Sequence, residues 1–314
     1  MSWIIIALIA YFFLALVNIG DKLFLGNFIP NYKAYTALIG IFGLAIFLLA
    51  PWFLAWPGFY VFIISLLSGA LFISALFLFF HSLQIGEVSR VIPFIGGLVP
   101  IFSLILSVFF LGQVLQSKQW LAFALLLLGT VLIVRTPHNT HWWHHLPIIK
   151  DLTGRHNLEV FEEIIIITLA SVLFAASFVS SKYVFSQTEF LNGFIWIRLG
   201  SFLAIIVLLL KRDTRKAFKK AINKIKSKKG LLFLGNQGFG AIGFTLQNLA
   251  ISLGSVALVN AMQGVQFVFV IGLAALATLK FPKAFKGEKV NQKIILEKFI
   301  AVVVIAVGLW VLSV

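Results

Sequence analysis

The chain has 314 residues, 61% apolar and only 11% charged, with a mean hydropathy of +1.06. Soluble domains carry about 25% charged residues, so this balance excludes one and defines a polytopic helical membrane protein. The formal charge of +15 is confined to a few loops, where it reads as a topology signal and not as a nucleic-acid surface; the absence of cysteine removes disulfides, thiol chemistry and cysteine-only metal sites.

The first apolar run, residues 2–20, has no Lys or Arg before it and no small-residue cleavage site after it. It reads as a retained spanning helix. Further runs follow at 34–50, 58–80, 91–112 and 119–134, then at 161–181, 190–210, 231–252, 255–279 and 294–314. At 1.5 Å per residue each is about long enough to cross the hydrocarbon, which predicts an all-α polytopic membrane protein of ten transmembrane helices.

Between the fifth and sixth runs lies a His-, Trp- and Pro-rich stretch without an apolar span. The expected organisation is therefore a first five-helix repeat at 1–135, a linker at 136–160 and a second five-helix repeat at 161–314. Lys22 and Lys182 both follow the first helix of their half, Gly40 matches Gly200, Gly96 matches Gly264, and Gly129 matches Gly308. An odd number of helices per half puts the second copy into the membrane upside down, a 5+5 inverted repeat.

Loop charge supports the inversion. Residues 51–57 carry no charge, whereas the equivalent connection from Lys211 to Lys229 carries ten Lys and Arg against Asp213 alone. Lys118 is the only charged residue between spans four and five, but Lys280, Lys283, Lys286, Lys289 and Lys293 fall between spans nine and ten. The basic connections should share the cytoplasmic side, with both termini outside. The segment from Lys211 to Lys229 is also a candidate surface helix for anionic lipid.

In the stretch "LQIGEVSRVIPFIGGLVPIFSLILSVFFLGQ", Pro93, Gly96, Pro100, Ser103 and Ser107 share one helix face, which suits close packing or a cavity lining. With the following "LLLLGTVLIV" and ten helices in two halves, the chain resembles the drug/metabolite transporter superfamily, in its EamA-type branch. That resemblance implies a secondary transporter moving a small polar metabolite, amino acid-like or anionic, by alternating access, with export a common direction. It also implies a cavity lined by helices one, three, four, six, eight and nine. A flippase for a lipid-linked headgroup is the nearest alternative, and a membrane-embedded enzyme the alternative from another class.

The residues offer candidates for such a site. Arg198 lies eight residues into its span, where a guanidinium costs roughly 2.5–3.5 kcal/mol on insertion scales; it either snorkels or serves as counter-charge to a substrate anion. Gln237, Ala241, Thr245 and Asn248 form a stripe on helix eight, and Asn260, Gln263, Gly264 and Phe267 one on helix nine. Amides inside a span need partners, so both stripes should face the bundle, as hydrogen bonds between helices or as a substrate cavity. Asn18 and Tyr11 make a similar face on helix one. Lys22 and Lys182 are interfacial anchors or gates that meet anions at the two mouths.

His138, His141, His144 and His145 in the linker, with His156, fit a polar interfacial loop beside Trp142 and Trp143 better than a metal site. No Gly-rich Lys-Ser/Thr nucleotide loop is present, and no cofactor is expected. No carboxylate is expected inside the spans, which leaves Glu87 and His81 as weak proton-relay candidates. The partners expected are a small metabolite and membrane lipid, with no nucleic acid, in a monomer or homodimer of a prokaryotic plasma membrane.

Overall fold

A computed structural model describes residues 2–29, 31–85, 88–134, 155–280 and 292–313. Among them there is helix and turn and no strand, because backbone groups in hydrocarbon must be satisfied within the segment. In chain order the helices are α1 (Ser2–Asn27), α2 (Tyr32–Phe42), a 3-10 stretch (Gly43–Leu49) leading into α3 (Ala50–Phe53), α4 (Phe59–Ile85), α5 (Val88–Leu111) and α6 (Ser117–Val134). The second half has α7 (Arg155–Gln187), α8 (Phe190–Leu210), α9 (Arg212–Ile225), α10 (Lys228–Leu253), α11 (Val256–Ala261), α12 (Gln263–Lys280) and α13 (Gln292–Ser313).

Eight segments are long and apolar enough to span, and Ser117–Ile133 is a shorter one. α10 completes ten; its glycines and amides lower its hydropathy without shortening it. The bounds differ from the apolar runs in informative ways. α1 continues seven residues past Gly20 and takes Asp21 into the helix. α7 begins at Arg155, inside the expected linker, and the second span passes at Gly43 into a 3-10 stretch that runs to Leu49, ahead of a short helix with Pro51 in its first turn, where a missing N–H is tolerated. Span nine breaks at Met262, between Asn260 and Gln263. The linker imidazoles His138, His141, His144 and His145 lie outside the described residues, as does the side chain of His156.

The halves form an inverted repeat, and the contacts between them show its symmetry. α4 packs along α7 as α1 packs along α10, and α5 meets α7 as α1 meets α12. α6 pairs with α13, which are equivalent helices, so their contact should be reciprocal. It is: a Cβ added at Gly129 would meet Ile305 and Ala301 of α13, and one at Gly308 would meet Leu125 and Leu126 of α6. Small residues let these backbones approach where apolar burial gives little driving force between helices.

α9 lies on the surface. Thr214 and Ala221 are buried, with Ala217, Phe218 and Ile225 packed on the cluster of Tyr35, Leu38, Ile205 and Phe233. Arg212, Arg215, Lys216, Lys219 and Lys220 point outward. Ser227 caps the next helix by accepting from Gly230 N. At the opposite end of the bundle the short 54–58 connection is held on α8: Ala55 N donates to Asn192 Oδ1 at 3.1 Å, and Trp196 Nε1 donates to Ala55 O at 3.0 Å.

Candidate functional site

Arg198 is 6% exposed on α8, so its guanidinium does not snorkel to an interface. It lies over three phenylalanine rings, at 4.3 Å from Phe244 of α10, 4.9 Å from Phe194 of its own helix and 5.6 Å from Phe72 of α4. Ring faces are negative, and such contacts contribute roughly 0.5–2 kcal/mol each. The charge nonetheless lacks an ionic partner among the described residues, and Nε is buried without a hydrogen bond. Gly43 is what makes room: a Cβ there would stand 3.2 Å from Nη1. The 3-10 stretch therefore begins where the guanidinium approaches the backbone.

A second polar locus lies between α1, α5, α10 and α11. Tyr11 Oη donates to Val259 O at 2.7 Å and accepts from Gln247 Nε2 at 3.4 Å. Asn260 Nδ2 donates to Ser103 Oγ at 2.8 Å, leaving its Oδ1 buried and unpartnered. Tyr11 thus joins α1 to α10 and α11, and Asn260 joins α11 to α5. Gln247, one residue before the expected Asn248, carries the contact to Tyr11. Asn248 itself donates to Phe244 O of its own helix, and Thr245 to Ala241 O, so that stripe is partly self-satisfied. Gln263 and Asn18 are half-buried and take part in neither contact.

The two ends of the bundle differ. Lys182 Nζ donates to Ser252 O at 2.9 Å and Gly254 O at 3.0 Å, so the ammonium caps the C-terminal end of α10. The side chain of Lys22 is outside the described set. Gln237 is buried, not beside Asn248 but near Asp21 and Tyr35, with Nε2 unpartnered.

Asp21, together with Glu163, which is 5% exposed in the Phe161–Gln187 span, corrects the expectation that the spans hold no carboxylate. Asp21 is partly buried in α1 and its Oδ1 accepts from Tyr35 Oη at 2.6 Å and from Asn236 Nδ2 at 2.8 Å. The apolar run stops at Gly20, which hides Asp21 as a helix end; the signal that could have found it is the polar pair Asn236–Gln237 on the partner helix of the other half. Among the described residues, no group of three or more His, Cys, Asp or Glu is placed to hold a metal ion.

Ten helices in two inverted halves, with polar groups held inside, make this an integral multi-pass membrane protein. Residues 1–135 match the model of the EamA-like transporter family, consistent with the drug/metabolite transporter superfamily. A protein solved by crystallography is similar over 100% of this chain and 99% of its own, with a TM-score of 0.65 and 15% identity, a likeness of fold alone. No curated protein matches.

Proposed function

We propose that the chain is a secondary transporter that carries a small polar metabolite, amino acid-like or anionic, by alternating access, with export the direction to test first. The observation that supports this reading is Arg198, a buried guanidinium with a free Nε set among three rings that join α4, α8 and α10. A cation kept in a low-dielectric interior without a carboxylate is a site for a carboxylate or phosphate that arrives from outside the fold. Tyr11, Gln247 and Asn260, with Asn18 on the same helix as Tyr11 and Gln263 just past the break in span nine, supply neutral hydrogen-bonding groups for the rest of a substrate. Lys22 and Lys182, at equivalent sequence positions in the two halves, are the candidates to meet anions at the two mouths of this pathway.

The broken second and ninth spans, at Gly43 and Met262, are where helices can bend between inward- and outward-facing forms. The membrane is a prokaryotic plasma membrane, with α9 on its cytoplasmic face and the protein acting as monomer or homodimer.

The test is flux into proteoliposomes of a panel of labelled amino acids and phosphorylated sugars, with glutamate as the first anionic probe. A hydrogen bond to a charged group contributes about 1.5–3 kcal/mol, so Arg198→Gln should lower anionic flux per inserted molecule by roughly tenfold to a hundredfold. A parent that moves nothing in the panel, or Arg198→Gln that moves anions like the parent, removes this reading.

A further inference from the structure

The inverted repeat supplies an internal control for one cluster. A spacing of 160 residues relates Lys22 to Lys182, and one of 168 relates Gly96 to Gly264. The first carries Asp21 onto Ser181, and the second carries Ser68 onto Asn236. Both pairs are in contact: Asn236 Nδ2 donates to Asp21 Oδ1 at 2.8 Å where α10 crosses α1, and Ser68 Oγ and Ser181 Oγ share a hydrogen bond at 2.8 Å where α4 crosses α7. The same crossing is thus closed twice, once by two neutral hydroxyls and once by a carboxylate. The helix contact requires a hydrogen bond and does not require a charge.

The surroundings diverge in the same direction. The same spacings carry Tyr35 onto Ile195 and Gln237 onto Gly69, so neither further donor exists in the other half. Among the described residues the polar side chains around Asp21 are neutral donors: Tyr35 Oη, Asn236 Nδ2 and the nearby Gln237, 7% exposed, whose Nε2 is without a partner. A metal cation would need converging oxygens, and here N–H and O–H groups converge on the carboxylate instead.

Charged groups on the elements packed around this end are engaged elsewhere. Lys224 of α9 donates to Phe28 O at 2.8 Å, Lys33 of α2 lies 5.6 Å from the Tyr32 ring, and His81 of α4 stacks on Tyr32 at 4.7 Å. Lys22, Lys228 and Lys229 are near in sequence, with side chains outside the described set. Among the described residues no ammonium or guanidinium pairs with Asp21. A carboxylate in a span, supported only by neutral donors, is stable enough to ionise and costly enough to take up a proton.

We propose that Asp21, positioned by Tyr35, Asn236 and Gln237, is the proton-binding site that couples this protein to the proton gradient. The proton enters from the α9 end of the bundle, where Asp21 keeps some exposure, and binds a carboxylate oxygen. Tyr35 Oη is then freed from a charged acceptor, which lets the α1–α2–α10 contact loosen. This deepens the transporter reading by naming its driving ion.

The chain holds three aspartates, Asp21, Asp151 and Asp213, so carboxyl-labelled aspartate gives an infrared signal with few contributors. In proteoliposomes of the full chain, one labelled aspartate should keep its protonated-carboxyl band at a pH where the other two are ionised. Asp21→Asn should remove that band. Tyr35→Phe, which takes a donor from the charged form, should carry the band to higher pH and serves if Asp21→Asn folds poorly. All three aspartates ionising together in the parent, or a band that survives Asp21→Asn, overturns the proposal. A coupling arm uses labelled glutamate or whichever panel compound the parent moves. An imposed pH gradient should drive its accumulation in the parent, and Asp21→Asn should retain exchange but lose accumulation by tenfold or more. Parent flux indifferent to the gradient also overturns it. If the parent moves no panel compound, the transporter reading falls while the infrared titration still decides whether Asp21 holds a proton.

Discussion

The crossing of α1 with α10 and the crossing of α4 with α7 are one packing solution used twice, in opposite directions across the membrane. In the α4–α7 copy serines zip the helices together: Ser68 Oγ donates to Ser177 O, Ser177 Oγ donates to Ser68 O, each at 3.0 Å, and Ser68 meets Ser181. In the α1–α10 copy the interface holds Asp21, Asn236 and a glycine, Gly20, against which the Asn236 side chain rests. What differs is chemistry and not geometry. Small groups suffice to bring the helices together, so the charged copy carries something the fold does not need.

A second asymmetry lies alongside. α4 packs extensively on α8, but the equivalent pair α10 and α2 touch only slightly, with α9 beside them. The α4–α8 contact should therefore be the most sensitive to added bulk. A Cβ at Gly200 would overlap the backbone of Leu66, and one at Gly69 that of Ile197 and Ser201. Overpacking costs about 1–3 kcal/mol and more against backbone, so Gly200→Ala should remove most folded protein, read as monodisperse yield in detergent. Gly238→Ala on α10, where nothing stands within 4 Å, should match the parent. Equal yields would mean the two sides are packed alike.

The next effect in size concerns Arg198, which touches both crossings through Phe72 and Phe244. Phe244 is closer, at 4.3 Å against 5.6 Å. With cation–π contacts near 0.5–2 kcal/mol, Phe244→Leu should cut anionic flux several-fold and Phe72→Leu less. The reverse order would place the working end of the guanidinium on the α4 side. Smaller still, Ser68→Ala should cost about 0.6 kcal/mol per hydrogen bond lost within a membrane. It should lower the melting temperature slightly and leave the infrared titration of Asp21 unmoved; a shift would couple the two crossings.

Hydropathy made the spans legible, because hydrocarbon leaves few ways to satisfy a backbone, and glycine pairs made the repeat legible, because reciprocal close packing needs the same small residue twice. Arg198 was visible as a charge in an apolar run, and Tyr11 and Asn260 as polar points on faces that meet. Asp21 was not, because hydropathy ends a helix at the first charge whereas the chain ends it where the backbone turns, at Asn27. Gln247 was missed in favour of Asn248 because adjacent positions on a helix differ by about 100° and no local pattern says which faces a partner. The ring cage around Arg198 was invisible for another reason: with 34 phenylalanines in the chain, no single one stands out before the helices are packed.

The smallest expected effect tests the side of the membrane on which the charged crossing lies. α9 sits at the same end as Asp21, because Lys224 Nζ donates to Phe28 O just beyond α1. Its buried face follows Thr214, Ala217, Phe218, Ala221 and Ile225, at steps of three and four residues, so the outward face must carry Arg212, Arg215, Lys216, Lys219 and Lys220. A row of cations held at that height faces the headgroups, where anionic lipid contributes about 1 kcal/mol per basic residue and the benefit fades within a Debye length. Replacing Lys216, Lys219 and Lys220 by Gln should therefore lower thermal stability by a few degrees in nanodiscs containing anionic lipid and leave it unchanged in neutral ones, with high salt erasing the difference. Lys224 is left alone, because its bond to Phe28 belongs to the fold. The same positive face should keep this end cytoplasmic, so a reporter fused after Val314 should read as external. A cytoplasmic reporter would turn the molecule over and put Asp21 on the outer side, where protons driven inward would meet it first.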